Sequence, residues 1–360
     1  MNLRSRMILD EYRISRDNYL KLGDIVHNML VKLAEDANIP IMAIEHRVKT
    51  EESLAGKLEL KGDHYQKLGD ITDILGTRII TYFSDDVDKI GDLVEDAFEI
   101  DRENSQDKRK LLDNKSFGYL SLHYICSLKE SEGYPEELNS IRFEIQIRTN
   151  LQHTWAQIEH DMGYKSDFGV PNSVVRSFSR IAGLLELADS EFVRTRDAVN
   201  EYTEAIRQKI VRDEADDLPI NIITINEYVK NRTHMQQFLQ EIATKTNAEI
   251  KEVAADSYVE QLHWLGIYTI GELKELLAKY HDRSIETLDK VFDDAELDMV
   301  SSNVGLRFLC RGALEDRNYT EDQLTDYFML TFDDVNRARK MAQYLIRSKE
   351  SGKDDKDGNS

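Results

Sequence analysis

The sequence predicts an α+β protein: a mixed sheet flanked by helices, followed by a mostly α-helical C-terminal domain. Two kinds of hydrophobic spacing carry that expectation. Apolar residues recur at helical intervals in some segments and alternate strictly in others, and the two kinds interleave through the first ~165 residues. Beyond an acidic stretch closed by Pro219, the spacing is mostly helical. The 360 residues suffice for two domains, each with its own core.

The elements follow in order. "YLKLGDIVHNMLVKLAED" places Leu22, Ile25, Val26, Met29, Leu30 and Leu33 on one helical stripe. Pro40 ends it, and "IMAIEHRVK" (41–49) reads as a strand. "SLAGKLELKG" is a short helix closed by Gly62, and "ILGTRIITYF" (74–83) a second strand. "DDVDKIGDLVEDAF" is an amphipathic helix with Val87, Ile90, Val94 and Phe98 inward and acids in its first turn. A polar loop, 101–117, leads to a third strand, "YLSLHYICSL" (119–128). A Gly/Pro turn precedes a strand containing "FEIQIRT" (143–149), and "LQHTWAQIEHDMGYK" is helical, with Trp155, Ile158 and Met162 as its buried face. A long helix over 173–213 carries Val174, Phe178, Ile181 and Leu185 at helical spacing. The expected organisation is therefore a domain at 1–211, a linker at 212–219, a helical domain at 220–350 and a disordered tail at 351–360.

Bulk properties exclude several function classes. No apolar run approaches the roughly 20 residues that cross a bilayer, and the charged N-terminus is no secretory signal. Cys126 and Cys310 form no disulfide framework or zinc site and read as buried thiols in a reducing cytoplasm. Net charge is −21, divided as −10 over residues 1–210 and −11 over the rest, so neither half is a basic footprint for nucleic acid.

The strand at 141–148 poses the functional question. Ile141, Phe143, Ile145 and Ile147 take one face, and Arg142, Glu144, Gln146 and Arg148 the other. The third strand likewise sets Tyr119, Ser121 and His123 opposite Leu120, Leu122 and Tyr124. Arg47 and Lys49 share a side at the end of the first strand, Lys57 follows Ser53 by one helical turn, Asp73 precedes the second strand, and Arg78 lies within it. Collected on one sheet face, these are two carboxylates in a ring of Arg and Lys. Two carboxylates suit Mg²⁺, the bases suit phosphates, and Tyr119 offers a stacking face for a base. Any one of these residues alone reads as an ordinary surface charge.

"RVKTEESLAGKL", "DILGTRII", "KSFGYLSLHY" and "EIQIRT…HTWAQIEHDMGYK" resemble, in order and spacing, the RelA/SpoT-type (p)ppGpp synthetase domain. The four blocks span residues 47–165 and the whole resemblance about 20–210. It implies a nucleotidyltransferase-like fold in a cytoplasmic GTP pyrophosphokinase. Such an enzyme transfers pyrophosphate from ATP to the 3′-hydroxyl of GDP or GTP and releases AMP. By the same resemblance Asp73 and Glu144 are the catalytic Mg²⁺ ligands, Glu144 also serving as base. Arg47 and Arg78 sandwich adenine, Lys49, Ser53 and Lys57 hold the ATP phosphates, and Lys115, Tyr119, His123 and Gln146 meet the acceptor. Arg148 stays open between phosphate ligand and structural partner. Lys108, Arg109 and Lys110 read equally as a phosphate grip or a solvated loop. Fewer than fifty residues precede the synthetase blocks, and "EHDM" and "YHDR" lack the further ligands of a hydrolase, so (p)ppGpp hydrolysis is not expected.

Residues 258–280 resemble a helix–hairpin–helix-type module with "LGIYT" as its turn, read as helical packing or protein contact. The C-terminal domain resembles neither TGS nor ACT domains, and its partner or regulator is open. Homo-oligomers are common in small members of the family. One alternative is a toxic member that pyrophosphorylates the tRNA 3′ end, with the C-terminal domain as neutraliser or phage sensor. Another is a catalytically dead nucleotide sensor, which would not need both Asp73 and Glu144.

Overall fold

The computed structural model describes residues 2–107, 109, 121–130, 133–163, 171–291 and 298–357. It divides into two compact units, residues 1–197 and 198–360.

The first unit opens with helix α1 (Leu3–Asp36), capped by the side chain of Asn2, which accepts from the Ser5 amide at 2.8 Å. Then come β1 (Ile41–Val48), α2 (Glu51–Lys61), β2 (Leu75–Thr81), α3 (Ser84–Ala97), β3 (Glu99–Ile100), β4 (Gln106–Asp107), β5 (Leu122–Ser127), α4 (Glu136–Asn139), β6 (Phe143–Thr149) and α5 (Asn150–Gly163). The sheet order is β1-β2-β6-β5-β3, with β4 also on β5. β2 and β6 run parallel and the other pairs antiparallel.

Register decides the two faces. Thr77 pairs with Ile145 and Ile79 with Ile147, while Tyr124 and Leu122 meet the same two residues from β5. This face is apolar, and α1 and α3 pack on the sheet with Leu22, Val26, Ile90 and Val94 buried in one core. Burying that stripe, at about 25 cal/mol per Å² of apolar surface, is what holds α1 to the sheet. Contact is close at Gly23, where an added Cβ would lie 2.7 Å from His46 Cδ2. The opposite face carries the polar half of each strand. Gly76 pairs with Glu144, Arg78 with Gln146, Gln146 with His123, and Arg47 with Gly76.

The long helix α6 (Asn172–Val211) begins in the first unit, where Arg196 donates to both oxygens of Asp85 at 2.9 and 3.0 Å. The second unit comprises α7 (Ile222–Asn231), α8 (Thr233–Lys245), β7 (Glu249–Lys251), α9 (Ser257–Trp264), α10 (Ile270–Val291), β8 (Met299–Ser301), α11 (Val304–Asp316), α12 (Glu321–Met329) and α13 (Val335–Asp357). It is mostly helical, as expected, with one small parallel pair, β7–β8. The "LGIYT" turn joins α9 to α10 through Gly266, whose φ of 77° is the left-handed region that glycine tolerates.

Three expectations are corrected. The acidic stretch 212–219 is built into the second unit: Ala215 is buried, Asp213 and Asp216 both hold Lys274, and Asp213 pairs with Arg232 at 2.8 Å. Its acidity complements those bases. Of the expected tail 351–360, residues 351–357 continue α13, because extending an established helix costs far less than nucleating one, and 358–360 lie outside the described residues. On α5, Trp155 is buried against Ala182 and Phe178, but Ile158 and Met162 are exposed. One short helix covers only its first turns against α6.

Candidate active site

The polar sheet face supplies the site. Arg47 from β1, Arg78 from β2, Gln146 and Arg148 from β6, and Ser121 and His123 from the β5 side line a cavity of about 360 Å³. Helix α5 closes it with Gln152, Trp155 and the polar residues of its last turns. Alternation on four strands in register aims these side chains at one space.

Two carboxylate centres complete the arrangement. Asp73, just before β2, accepts from Lys57 at 2.7 Å and pairs with Lys49 at 3.2 Å. Burial alone would raise its carboxyl, but the Lys57 hydrogen bond and the two ammonium charges hold it below the ordinary value. Glu144 shares one oxygen with His123 Nδ1 at 2.7 Å and accepts from Gln146 Nε2 on the other at 2.9 Å. Burial again opposes ionisation, and the hydrogen bond and charge of His123 outweigh it, so this carboxyl too is held low. His123 Nε2 lies 2.6 Å from Ser121 Oγ, giving a continuous Ser121–His123–Glu144 chain. Asp73 and Glu144 feel each other's charge, since Asp73 tends to raise Glu144.

Positive charge is in excess on the cavity floor. Arg47, Arg78 and Arg148 make no carboxylate ion pair among the described residues. Burial lowers the Arg148 guanidinium to about 10, helped by the charge of Arg78, and Arg78 is itself lowered by burial and by Arg47. The buried Nε of Arg148 has no hydrogen-bond partner among the described residues. Such groups are stabilised by an anion.

The loop that presents Lys49 is pinned on both sides. The Lys49 amide donates to the Ile74 carbonyl at 2.8 Å, and the buried Tyr12 hydroxyl of α1 donates to the Lys49 carbonyl. Thr50 then caps α2, accepting from the Ser53 amide at 3.3 Å.

Of the residues expected from sequence, Arg47, Arg78, His123 and Gln146 share the cavity, Lys49, Lys57 and Asp73 form one cluster, and Glu144 joins through His123 and Gln146. Ser53 is exposed on the first turn of α2, where its hydroxyl and amide both meet the Thr50 hydroxyl. Lys115 and Tyr119 lie outside the described residues, as do Lys108 and Lys110. Arg109 pairs with Asp107 at 2.9 Å and Asp88 at 2.7 Å, which makes it a structural partner. Sequence reading missed the Ser121–His123–Glu144 chain, although Ser121 and His123 at i, i+2 were its signal. It also missed Gln152 on α5, whose carbonyl accepts from the Thr149 amide at 2.9 Å.

A family model described as the region found in RelA/SpoT proteins matches residues 46–168. The chain carries a RelA/SpoT domain. It is 28% identical over 182 residues to GTP pyrophosphokinase YjbM of Bacillus subtilis (strain 168), covering 49% of this chain and 81% of that protein. Against GTP pyrophosphokinase YwaC of the same organism the identity is 27% over 164 residues, covering 45% and 76%. Among solved structures, small alarmone synthetase 1 from Bacillus subtilis covers 53% of this chain and 99% of its own at 25% identity, with a TM-score of 0.45. A GTP pyrophosphokinase family protein from Streptococcus pneumoniae covers 56% and 97% at 26% identity, also with a TM-score of 0.45. The RelA/SpoT domain thus contains every candidate site residue named above, from Arg47 to Gln152. No helix among the described residues is long and apolar enough to cross a membrane.

Proposed function

We propose that this chain is a (p)ppGpp synthetase that transfers pyrophosphate from ATP to the 3′-hydroxyl of GDP or GTP. The observation that carries the reading is the pairing of unneutralised arginines, Arg47, Arg78 and Arg148, with two carboxylates kept ionised, Asp73 and Glu144. A nucleotide supplies what the first set lacks: phosphate oxygens for Arg148, and an aromatic base for the guanidinium planes of Arg47 and Arg78 to stack on.

In this reading the acceptor oxygen bonds to the β-phosphorus of ATP. The bond from that phosphorus to the α–β bridging oxygen breaks, AMP leaves with that oxygen, and the hydroxyl proton passes to Glu144. His123 and Gln146 fix both oxygens of Glu144 so that the carboxylate faces its task without reorganising. Arg47 and Arg78 take the adenine, and Lys49, Ser53 and Lys57 the ATP phosphates. Lys115, Tyr119, His123 and Gln146 take the acceptor nucleotide. Lys49 and Lys57 neutralise Asp73 in the protein alone; their ammonium groups are the ones assigned to phosphate. Arg148, buried and without a carboxylate ion pair among the described residues, joins the phosphate ligands in this reading. The donor set fits Mg²⁺, which commonly uses one or two carboxylates and completes its shell with water and substrate phosphate. Asp73 and Glu144 would hold it, and it would neutralise phosphate charge.

The test is purified protein with Mg²⁺ and γ-labelled ATP, offered GDP, GTP and deacylated tRNA separately. Label in a guanosine tetra- or pentaphosphate is the expected result. Label on tRNA alone moves the acceptor to RNA, and no labelled product with any acceptor overturns the activity.

A further inference from the structure

The second unit contains a cavity of about 450 Å³ between α9, α11, α12 and α13, which the transfer reaction does not use. All three charged residues that line it are arginines, Arg307, Arg311 and Arg337. That composition runs against its surroundings: residues 198–360 hold 21 Lys+Arg against 32 Asp+Glu, a balance of −11. Only Arg311 is neutralised, by Glu315 at 2.8 Å; Arg307 and Arg337 pair with no carboxylate among the described residues.

Five aromatic rings share the rest of the wall with aliphatic residues such as Leu314, Met341 and Leu345. Arg337 lies 4.6 Å from the Phe332 ring centroid, and Phe332 and Phe328 are 6.4 Å apart with their planes tilted by 32°. Tyr344, more than half exposed, stands opposite Arg311 at 6.0 Å. The Tyr327 hydroxyl is fixed by donating to Gln261 at 2.7 Å. A void of this size is far larger than the packing gaps of a protein interior and lies within the range of small-molecule sites. Arginines recognise phosphate, and aromatic faces recognise planar rings.

We propose that this cavity binds a nucleotide: a heteroaromatic ring among Phe328, Phe332 and Tyr344, with its phosphates on Arg307, Arg311 and Arg337. The site is separate from the one in the RelA/SpoT domain and does not depend on the transfer reading. Trp264 packs edge-on to Tyr327 at 5.3 Å, so its fluorescence reports on the cavity wall. The only other tryptophan, Trp155, belongs to the first unit.

The experiment titrates the full-length chain with AMP, ADP, GDP, guanosine and inorganic pyrophosphate. It follows Trp264 emission in a W155F background and heat release in the wild type. The expected result is a saturable Trp264 change with at least one nucleotide, matched by a calorimetric site that R307A/R337A weakens. R307A and R337A should each weaken the Trp264-detected affinity about tenfold, as loss of a charged hydrogen bond predicts, and leave pyrophosphate transfer unchanged. Guanosine and pyrophosphate should bind at least tenfold more weakly than the best nucleotide. Both arginines are exposed at the cavity rim, so their truncation is compatible with folding, which circular dichroism checks. If W155F does not fold, calorimetry of R307A/R337A against wild type decides alone. A single site per chain, unaltered in R307A/R337A, overturns the proposal. So does pyrophosphate binding as tightly as any nucleotide.

Discussion

Asp73 and Glu144 resemble each other in sequence and differ in what surrounds them. Asp73 is neutralised by two lysines, whereas Glu144 is oriented by an imidazole and an amide. Both are held below the ordinary carboxyl range, so both are charged at neutral pH. D73N and E144Q should each lower pyrophosphate transfer about a thousandfold, the scale of losing a charge-stabilising or general-base group. A labelled-ATP assay on variants with wild-type circular dichroism checks this, and activity within tenfold of wild type sinks the assignment. The same depression has a consequence for stability. A carboxyl with a lowered folded-state value stabilises the protein above its unfolded-state value, and that contribution fades as pH falls through the folded one. Denaturant midpoints should therefore drop as pH goes below about 4, with a shallower drop in D73N and E144Q. Parallel acid profiles for the variants and the wild type would contradict it.

At the scale of elements, the site depends on how tightly α1 lies on the sheet. Gly23 gives α1 its approach to His46 and to Leu75, whose Cδ1 would lie 3.2 Å from an added Cβ. G23A should cost about 1–3 kcal/mol of unfolding free energy, the usual cost of overpacking, read in a urea titration. An unchanged midpoint would mean that His46 swings aside. Much of this architecture was legible. The strict alternation around Ile145 and Gln146 located β6 and both its faces, and Gly62 marked the end of α2. What escaped was set by tertiary partners. The residues before Pro219 look like a linker until Lys274 and Arg232 meet Asp213, and Ile158 looks buried until the packing shows Leu151, Trp155 and Ala156, from the first turns of α5, against α6. The Ser121–His123–Glu144 chain needed the β5–β6 register, which period-two spacing leaves open.

Taken whole, the molecule is a polyanion with cationic hollows. Its −21 charge works against long nucleic acids, while Arg47, Arg78 and Arg148 gather positive charge at short range in one cavity. Deacylated tRNA should thus be neither acceptor nor ligand at physiological salt, which filter binding and the labelled-ATP assay can check. Micromolar tRNA binding with a steep salt slope would reverse that view. The charge pattern also explains why composition pointed away from phosphate chemistry while the strand faces pointed towards it. Net charge sums over the chain, and the site is decided by which few bases register and burial bring together.

The hydrogen bond from Tyr12 to the Lys49 carbonyl carries a lesson about where readiness is stored. A flexible lysine loop would have to surrender backbone freedom at each encounter with a ligand, at roughly 1–2 kcal/mol per residue. With its amide and carbonyl both engaged, the Lys49 backbone has surrendered that freedom at folding, and in the proposed function an incoming phosphate meets an ammonium group on a fixed mount. In the proposed function the N-terminal helix thus serves binding through its hold on the Lys49 backbone. Loosening it would register as weaker capture of substrate, with the chemistry of the captured molecule left intact.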